Sequence, residues 1–196
     1  YSRVFYANIG SGVGGGWVVD GIVDNGQGIG AAEIGHTYVS FGGTPPDKVE
    51  NICSGWAIGR RARSAVEKNP ESLILKLASG NPDAISAVTV ADAAKQRDPL
   101  ALRLFDETGH AFGISLANLI TLLHPQAVVI GGGVSLVGDL FLERFHARPV
   151  FGFDFGLPLP IDFQLAHAAV ALAEQFLQRL DHRLLGFQVR LEPVDA

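Results

Sequence analysis

The sequence predicts an α/β fold, and three observations carry that prediction. Residues 3–9 and 16–24 are rich in β-branched and aromatic side chains, and they are linked by a glycine-rich loop, the composition of antiparallel strands. Phe105, Phe112 and Leu119 recur every seven residues, as do Gly109, Leu116 and Leu123, which describes one buried stripe on a long helix. Gln126-Ala127-Val128-Val129-Ile130 is a short apolar run that opens directly into Gly131-Gly132-Gly133, a strand feeding a turn. Antiparallel strands first and strand–helix units afterwards give the order of an α/β domain.

Each element follows from local signals. Asp20-Gly21 is a hairpin turn between two apolar runs, so residues 3–24 are predicted as a β-meander. Residues 25–50 are loop-like, with turns at Asn25-Gly26 and Thr44-Pro45-Pro46-Asp47. A helix is predicted from 54 to about 68, stopped by Asn69-Pro70, and another over about 71–78. Thr89-Val90-Ala91-Asp92 has the form of a capping box opening a short helix. Asp98-Pro99 supplies an N-cap followed by proline at the first helical position, and the long helix it starts ends near Pro125. Beyond the second glycine run we expect a helix to about residue 146, a strand near 159–163 and a helix near 166–185. There is no domain linker and no internal repeat.

Composition narrows the function classes. Glycine makes up 24 of 196 residues, well above ordinary usage of about 7%, and it clusters at 10–16, 26–30, 42–43 and 131–133, so the excess belongs to specific loops. The net charge of −5 argues against a nucleic-acid surface, which needs a basic face. The compact basic cluster Arg60-Arg61-Ala62-Arg63 is expected to be a solvated helix face. A single cysteine, Cys53, rules out a disulfide within the chain and a multi-cysteine zinc site, and its apolar context reads as a small buried hydrophobe. No run approaches the roughly 18 apolar residues of a membrane span. The chain has no methionine and begins at Tyr1 inside a predicted strand, from which we expect further residues upstream.

Gly10-x-Gly12-x-x-Gly15 has the spacing of a dinucleotide fingerprint, but that fingerprint needs a helix immediately after it, and Trp17-Val18-Val19 continues as strand. A nucleoside-triphosphate loop ending Gly-Lys-Ser/Thr is absent, because no lysine follows. What remains is a glycine turn between strands with Ser11 at its tip, whose backbone N–H groups and hydroxyl could form an anion nest. On this loop alone, a ligand-binding nest and a ligand-free glycine hairpin stand even. The second run, Gly131-Gly132-Gly133, changes the balance. Two glycine turns far apart in sequence suggest a nucleotide held between them.

The order of the motifs resembles the C-terminal lobe of ROK-family proteins, the sugar kinases and sugar-responsive repressors of the actin-like ATPase (ribonuclease H-like) fold. Ile9-Gly10-Ser11-Gly12-Val13-Gly14-Gly15-Gly16 resembles the family's second phosphate loop, with Ser11 where threonine is usual. Residues 26–36, ending Ala32-Glu33-Ile34-Gly35-His36, resemble its A-G-E-x-G-H sugar motif. Val49-Glu50-Asn51-Ile52-Cys53-Ser54-Gly55 resembles the L-E-x-x-x-S-G segment that starts a helix, and 118–125 followed by 128–135 resembles the helix, proline and adenosine-loop segment. The match covers roughly residues 3–145.

The resemblance implies residues 1–196 as a C-terminal lobe with a mixed sheet flanked by helices, the N-terminal lobe lying outside this chain. It implies Glu33, His36 and Glu50 facing a hexose or N-acetylhexosamine, and Gly10, Ser11, Gly12, Gly14, Gly131, Gly132 and Gly133 facing a nucleotide. The chemistry agrees: a carboxylate can accept from two neighbouring hydroxyls, and an imidazole can donate from one nitrogen while a partner fixes the other. Without the motif, Glu33 would read as a surface carboxylate and His36 as a core histidine. The resemblance also implies ATP and Mg2+ as cofactors, a homodimer, a cytoplasmic location, and nucleic-acid binding only if a winged helix lies upstream.

Two departures stand out. Many family members carry a C-x-C-G-x-x-G-C zinc loop after the motif histidine, where this chain has Phe41-Gly42-Gly43-Thr44-Pro45-Pro46-Asp47-Lys48. Structural zinc needs four ligands, so no zinc is expected, and how His36 is oriented becomes a question. The family's aspartate base and first phosphate loop belong to segments upstream of residue 1. Asp20 and Asp24 read as turn and strand-edge residues and not as replacements. The expected activity is ATP-dependent phosphorylation of a sugar hydroxyl. The alternatives are a sugar-sensing repressor and an inactive actin-fold scaffold.

Overall fold

The computed structural model describes residues 1–141 except 29, 41, 42, 139 and 140. The strand and helix expected near 159–163 and 166–185 lie outside the described residues, as does most of the helix expected to about 146.

The meander forms as predicted, with one revision. Strands β1 (Arg3–Ile9) and β2 (Val13–Val19) pair antiparallel, and β3 (Ile22–Val23) follows through the Asp20-Gly21 turn, where both residues have positive φ. The glycine turn is shorter than the sequence suggests: only residues 10–12 lie outside the strands, and Gly14, Gly15 and Gly16 are β2 residues opposite Asn8, Ala7 and Tyr6. Glycine is needed at 15 for space, since a Cβ there would run into the Ala32 carbonyl and the Phe5 ring.

The stretch 25–50 contains more order than a loop. A short 3-10 turn, Ile34–His36, leads into β4 (Tyr38–Val39), which pairs antiparallel with β5 (Asp47–Lys48). Helix α1 (Val49–Cys53) starts at once and ends at Ser54, whose extended backbone and side chain cap α2 (Gly55–Val66) through the Ala57 N–H. Helix α3 (Leu73–Leu77) is shorter than its predicted span. Helix α4 (Ala87–Lys95) begins a turn before the predicted box: Ser86 is the N-cap and Thr89 its reciprocal partner. Helix α5 (Pro99–Leu123) starts at Asp98 as predicted. Asp98 Oδ1 accepts from the Ala101 N–H at 2.8 Å, and Oδ2 accepts from the Leu73 N–H at 2.8 Å and the Ser72 hydroxyl, so one buried carboxylate serves two helix starts. Helix α5 ends at His124 in the left-handed region, just before Pro125.

The last described strand, β6 (Ala127–Gly131), lies parallel to β1, giving a mixed sheet in the order β3-β2-β1-β6. Phe5, Ile9, Val49, Ile58, Val90, Phe105 and Phe112 form a core between this sheet and the helices. The heptad pattern holds, with Phe105, Gly109, Phe112, Leu116 and Leu119 all on the buried stripe of α5.

Candidate functional site

Parallel pairing of β1 with β6 sets their C-terminal ends side by side, with Asn8 opposite Gly131. The Val134 N–H donates to the Ile9 carbonyl at 2.9 Å, and the Gly55 N–H donates to the Gly10 carbonyl at 2.8 Å. The turn 10–12, the turn 131–133 and the start of α2 therefore converge at the carboxyl end of the parallel strands, where open α/β sheets bind ligands. Gly132 has φ +94°, and a Cβ there would stand 2.5 Å from both Asn8 Oδ1 and the Ile9 carbonyl oxygen, so only glycine brings the turn this close. Among the described residues, the N–H groups of Ser11 and Gly12 have no partner, and Ser11 is exposed at the tip. Gly131 is a buried strand residue packed on Tyr6, Gly133 is exposed, and Gly14 sits in the β2 ladder. Sequence reading passed over Asn8, whose side-chain amide stands between the two glycine turns. The signal available was a polar amide at the next-to-last position of β1, just before the glycine turn.

The segments that carry Glu33, His36 and Glu50 pack against β2. Residues 31–36 cross β2 so closely that Gly35 abuts the Val13 carbonyl. The His36 N–H donates to the Glu33 carbonyl at 3.0 Å, so both side chains ride on one tight turn, and both are exposed. Thr37 anchors that turn. Its hydroxyl donates to the Ile34 carbonyl at 2.7 Å and lies 3.0 Å from the buried Ser115 hydroxyl. The Val49 N–H donates to the Thr37 carbonyl at 2.9 Å, tying the turn to the start of α1. Glu50, half-buried in that first helical turn, accepts the Val13 N–H on Oε2 at 3.0 Å. The structure thus brings Glu50 against the first residue of β2, directly after the glycine turn.

The expectation of a solvated arginine face is overturned. Arg60 donates to the Asn51 carbonyl at 2.8 Å, Arg61 to the Ile52 carbonyl at 3.0 Å, and Arg63 to the Ile85 carbonyl at 2.7 Å. Arg61 also donates to the Thr108 hydroxyl at 3.1 Å and pairs with Glu107. Helix α1 is five residues long, too short to persist unaided, and the Arg60 and Arg61 guanidinium groups satisfy carbonyls at its end, while Arg63 holds the segment before α4. Cys53, the last residue of α1, is fully buried, and burial pushes its thiol up to about 12.

Among the described residues, no group of three or more His, Cys, Asp or Glu is placed to share a metal ion, and no helix is long and apolar enough to cross a membrane. Asp20 sits in the β2–β3 turn and Asp24 accepts the Gly26 N–H at 2.8 Å, so both are turn residues.

Comparison with known proteins matches this geometry to one family. The ROK family model matches residues 1–150. The glucokinase of Thermotoga maritima is 35% identical over 156 residues, 76% of this chain and 49% of the relative. The xylose repressor of Caldicellulosiruptor bescii is 30% identical over 155 residues, 74% of this chain and 37% of the relative. Among solved structures, a ROK family glucokinase from Streptomyces griseus in complex with glucose and AMPPNP superposes with a TM-score of 0.67 at 32% identity, over 75% of this chain and 49% of that one. The chain thus spans about half the length of the kinases it matches. With this match over most of the chain, and with the mixed sheet and paired glycine turns of the actin-like ATPase fold, the protein belongs to the ROK family.

Proposed function

We propose that this chain is the C-terminal lobe of an ATP-dependent sugar kinase, and that the crevice at the ends of β1 and β6 receives the nucleotide. The observation that carries the reading is the meeting of the two glycine turns, with Asn8 opposite Gly131 and the Val134 N–H on the Ile9 carbonyl. The donor set suits an anion: the Ser11 and Gly12 N–H groups have no partner among the described residues, and Ser11 with its hydroxyl is exposed at the tip. ATP bound there would supply the transferred phosphoryl group, and Mg2+ would neutralise its charge. Gly10, Ser11, Gly12 and Gly14 would flank the phosphates and Gly131, Gly132 and Gly133 the adenosine. Glu33 and His36, exposed on one tight turn, and Glu50 beside Val13 would hold a hexose or N-acetylhexosamine. Their work is orientation: carboxylates accept from paired hydroxyls and the imidazole donates. The base that takes the hydroxyl proton lies outside this set. A homodimer in the cytoplasm is part of the same reading.

A second reading, a sugar-sensing repressor, is supported by the match of the C. bescii xylose repressor over a similar share of the chain. The deciding experiment is ADP release by the full-length protein with Mg-ATP and a panel of glucose, mannose, fructose, N-acetylglucosamine and N-acetylmannosamine. Sugar-dependent turnover is the expected result and names the substrate. Sugar binding without turnover would replace the kinase with the sensor, and neither binding nor turnover would leave a scaffold.

A further inference from the structure

Lys48 closes a short circuit around His36. The 3-10 turn that carries His36 runs directly into β4, and β4 pairs with β5 so that Tyr38 stands opposite Lys48. The hairpin therefore returns Lys48 to the level of His36, with Nζ 3.4 Å from Nδ1. The backbone on both sides of Lys48 is held. Asp47 Oδ1 accepts the Lys48 N–H at 2.7 Å and the Asn51 side-chain amide at 2.8 Å, and the Val49 N–H donates to the Thr37 carbonyl at 2.9 Å. The Asn51 and Lys48 donors also hold the Asp47 carboxyl below its ordinary range, so it is ionised and a firm acceptor near neutral pH.

We propose that Lys48 is a positioning residue that selects one tautomer of His36. An ammonium carries three donors and no acceptor, so its contact with Nδ1 is attractive only when Nδ1 presents a lone pair. The ring hydrogen is then on Nε2, and the outward edge of the imidazole is a donor and not an acceptor. Rotation of the ring would break the Lys48 contact, so the same pair fixes orientation as well as tautomer. The ligand chemistry this favours is an acceptor oxygen, such as a sugar hydroxyl or a carbonyl of an acylated amine. This last step rests on the reading of His36 as a sugar-facing residue; the tautomer assignment does not.

The test uses two readouts on the full-length protein. Two-bond 1H–15N spectra of the histidine rings, with the His36 signals identified by His36→Gln, report the tautomer without any ligand. Calorimetric titration with glucose reports affinity. The native protein and Lys48→Arg, which keeps a cationic donor, should show the Nε2–H pattern for His36. Lys48→Met, which keeps the length and loses the donor, should move His36 toward a mixed pattern and weaken glucose by about twofold to fivefold, the scale of an exposed charged contact. An unchanged His36 pattern in Lys48→Met overturns the proposal. A moved pattern with unchanged glucose affinity upholds the positioning by Lys48 and overturns the sugar-facing role of His36.

Discussion

The Glu50 carboxylate accepts the backbone N–H of Val13 at 3.0 Å, which joins the first turn of α1 to the first residue after the glycine turn. The same carboxylate crowds Gly12, where a Cβ would come within 2.6 Å of Oε2. One side chain thus links the proposed phosphate turn to the proposed sugar segment, and its two duties can be separated. Glu50→Ala leaves the Val13 N–H without its partner and should cost about 1–3 kcal/mol in urea denaturation. Glu50→Gln retains an acceptor oxygen and should keep most of that stability. Both variants should lose sugar affinity if the carboxylate meets hydroxyls. A Glu50→Gln protein that binds sugar like the native one would confine Glu50 to its structural duty.

Gly132 should resist any side chain. Its φ of +94° and the nearness of Asn8 and Ile9 mean that Gly132→Ala strains the backbone and pushes the second turn off the first. We expect a stability loss of more than about 1 kcal/mol, with nucleotide affinity falling well before sugar affinity. Ser11→Ala, at the exposed tip, should leave stability within about 0.5 kcal/mol and weaken nucleotide alone. Fluorescent-nucleotide titration beside thermal melts reads both, and unchanged nucleotide affinity in Gly132→Ala would remove the adenosine-turn assignment.

Arg61 should matter more than its neighbour Arg60. Arg61 reaches the Ile52 carbonyl, the Thr108 hydroxyl and Glu107, whereas Arg60 reaches one carbonyl and stacks on the exposed Trp56 at 4.4 Å. Arg61→Ala should cost about 1.5–3 kcal/mol, since charged hydrogen bonds are lost and the end of α1 is uncapped. Arg60→Ala should stay within about 1 kcal/mol. Because α1 carries Glu50, Arg61→Ala should also raise the sugar concentration needed for half-saturation. Equal melting temperatures for the two variants would contradict the anchoring of α1 by Arg61.

Cys53 gives a pH dependence of definite sign. Burial raises its thiol from 9.0 to about 12, with Arg61 opposing the shift. Between those values the unfolded chain releases the proton and the native chain retains it, so native stability falls as pH rises through that window. Cys53→Ala should flatten this part of the stability curve, measured by urea midpoints from pH 8 to 11. In the native protein at pH 8 a disulfide reagent should label Cys53 only as fast as the core opens. Rapid labelling would show that the core around the end of α1 is open.

Local order was largely legible in the residues. Asp98-Pro99 and the seven-residue repeat of α5 announced that helix because caps and amphipathic stripes depend on near neighbours. Asp20-Gly21 and the apolar run ending in Gly131-Gly132-Gly133 were equally plain. Helix α1 and the β4–β5 pair were not, since five-residue and two-residue elements are too short to show a period and are held by tertiary contacts, among them the Arg60 and Arg61 bonds to α1, the Val49 N–H on the Thr37 carbonyl and the burial of Val49, Ile52 and Cys53. The capping box of α4 lies a turn earlier than expected because Thr89 closes it at N3 and Ser86 is its N-cap.

The sequence by itself determined the fold class, the two glycine turns and the order of motifs that marks a ROK-family chain. It did so because turn chemistry, hydrophobic period and motif spacing are properties of adjacent residues. The tertiary structure decided what those motifs face. Parallel pairing of β1 with β6, 123 positions apart in register, set Asn8 between the two glycine turns. The packing of α1 against β2 joined Glu50 to Val13, and the β4–β5 hairpin brought Lys48 to His36. Such pairings depend on strand register and helix docking, which arise from burial of the whole core and leave no mark in any short stretch of sequence.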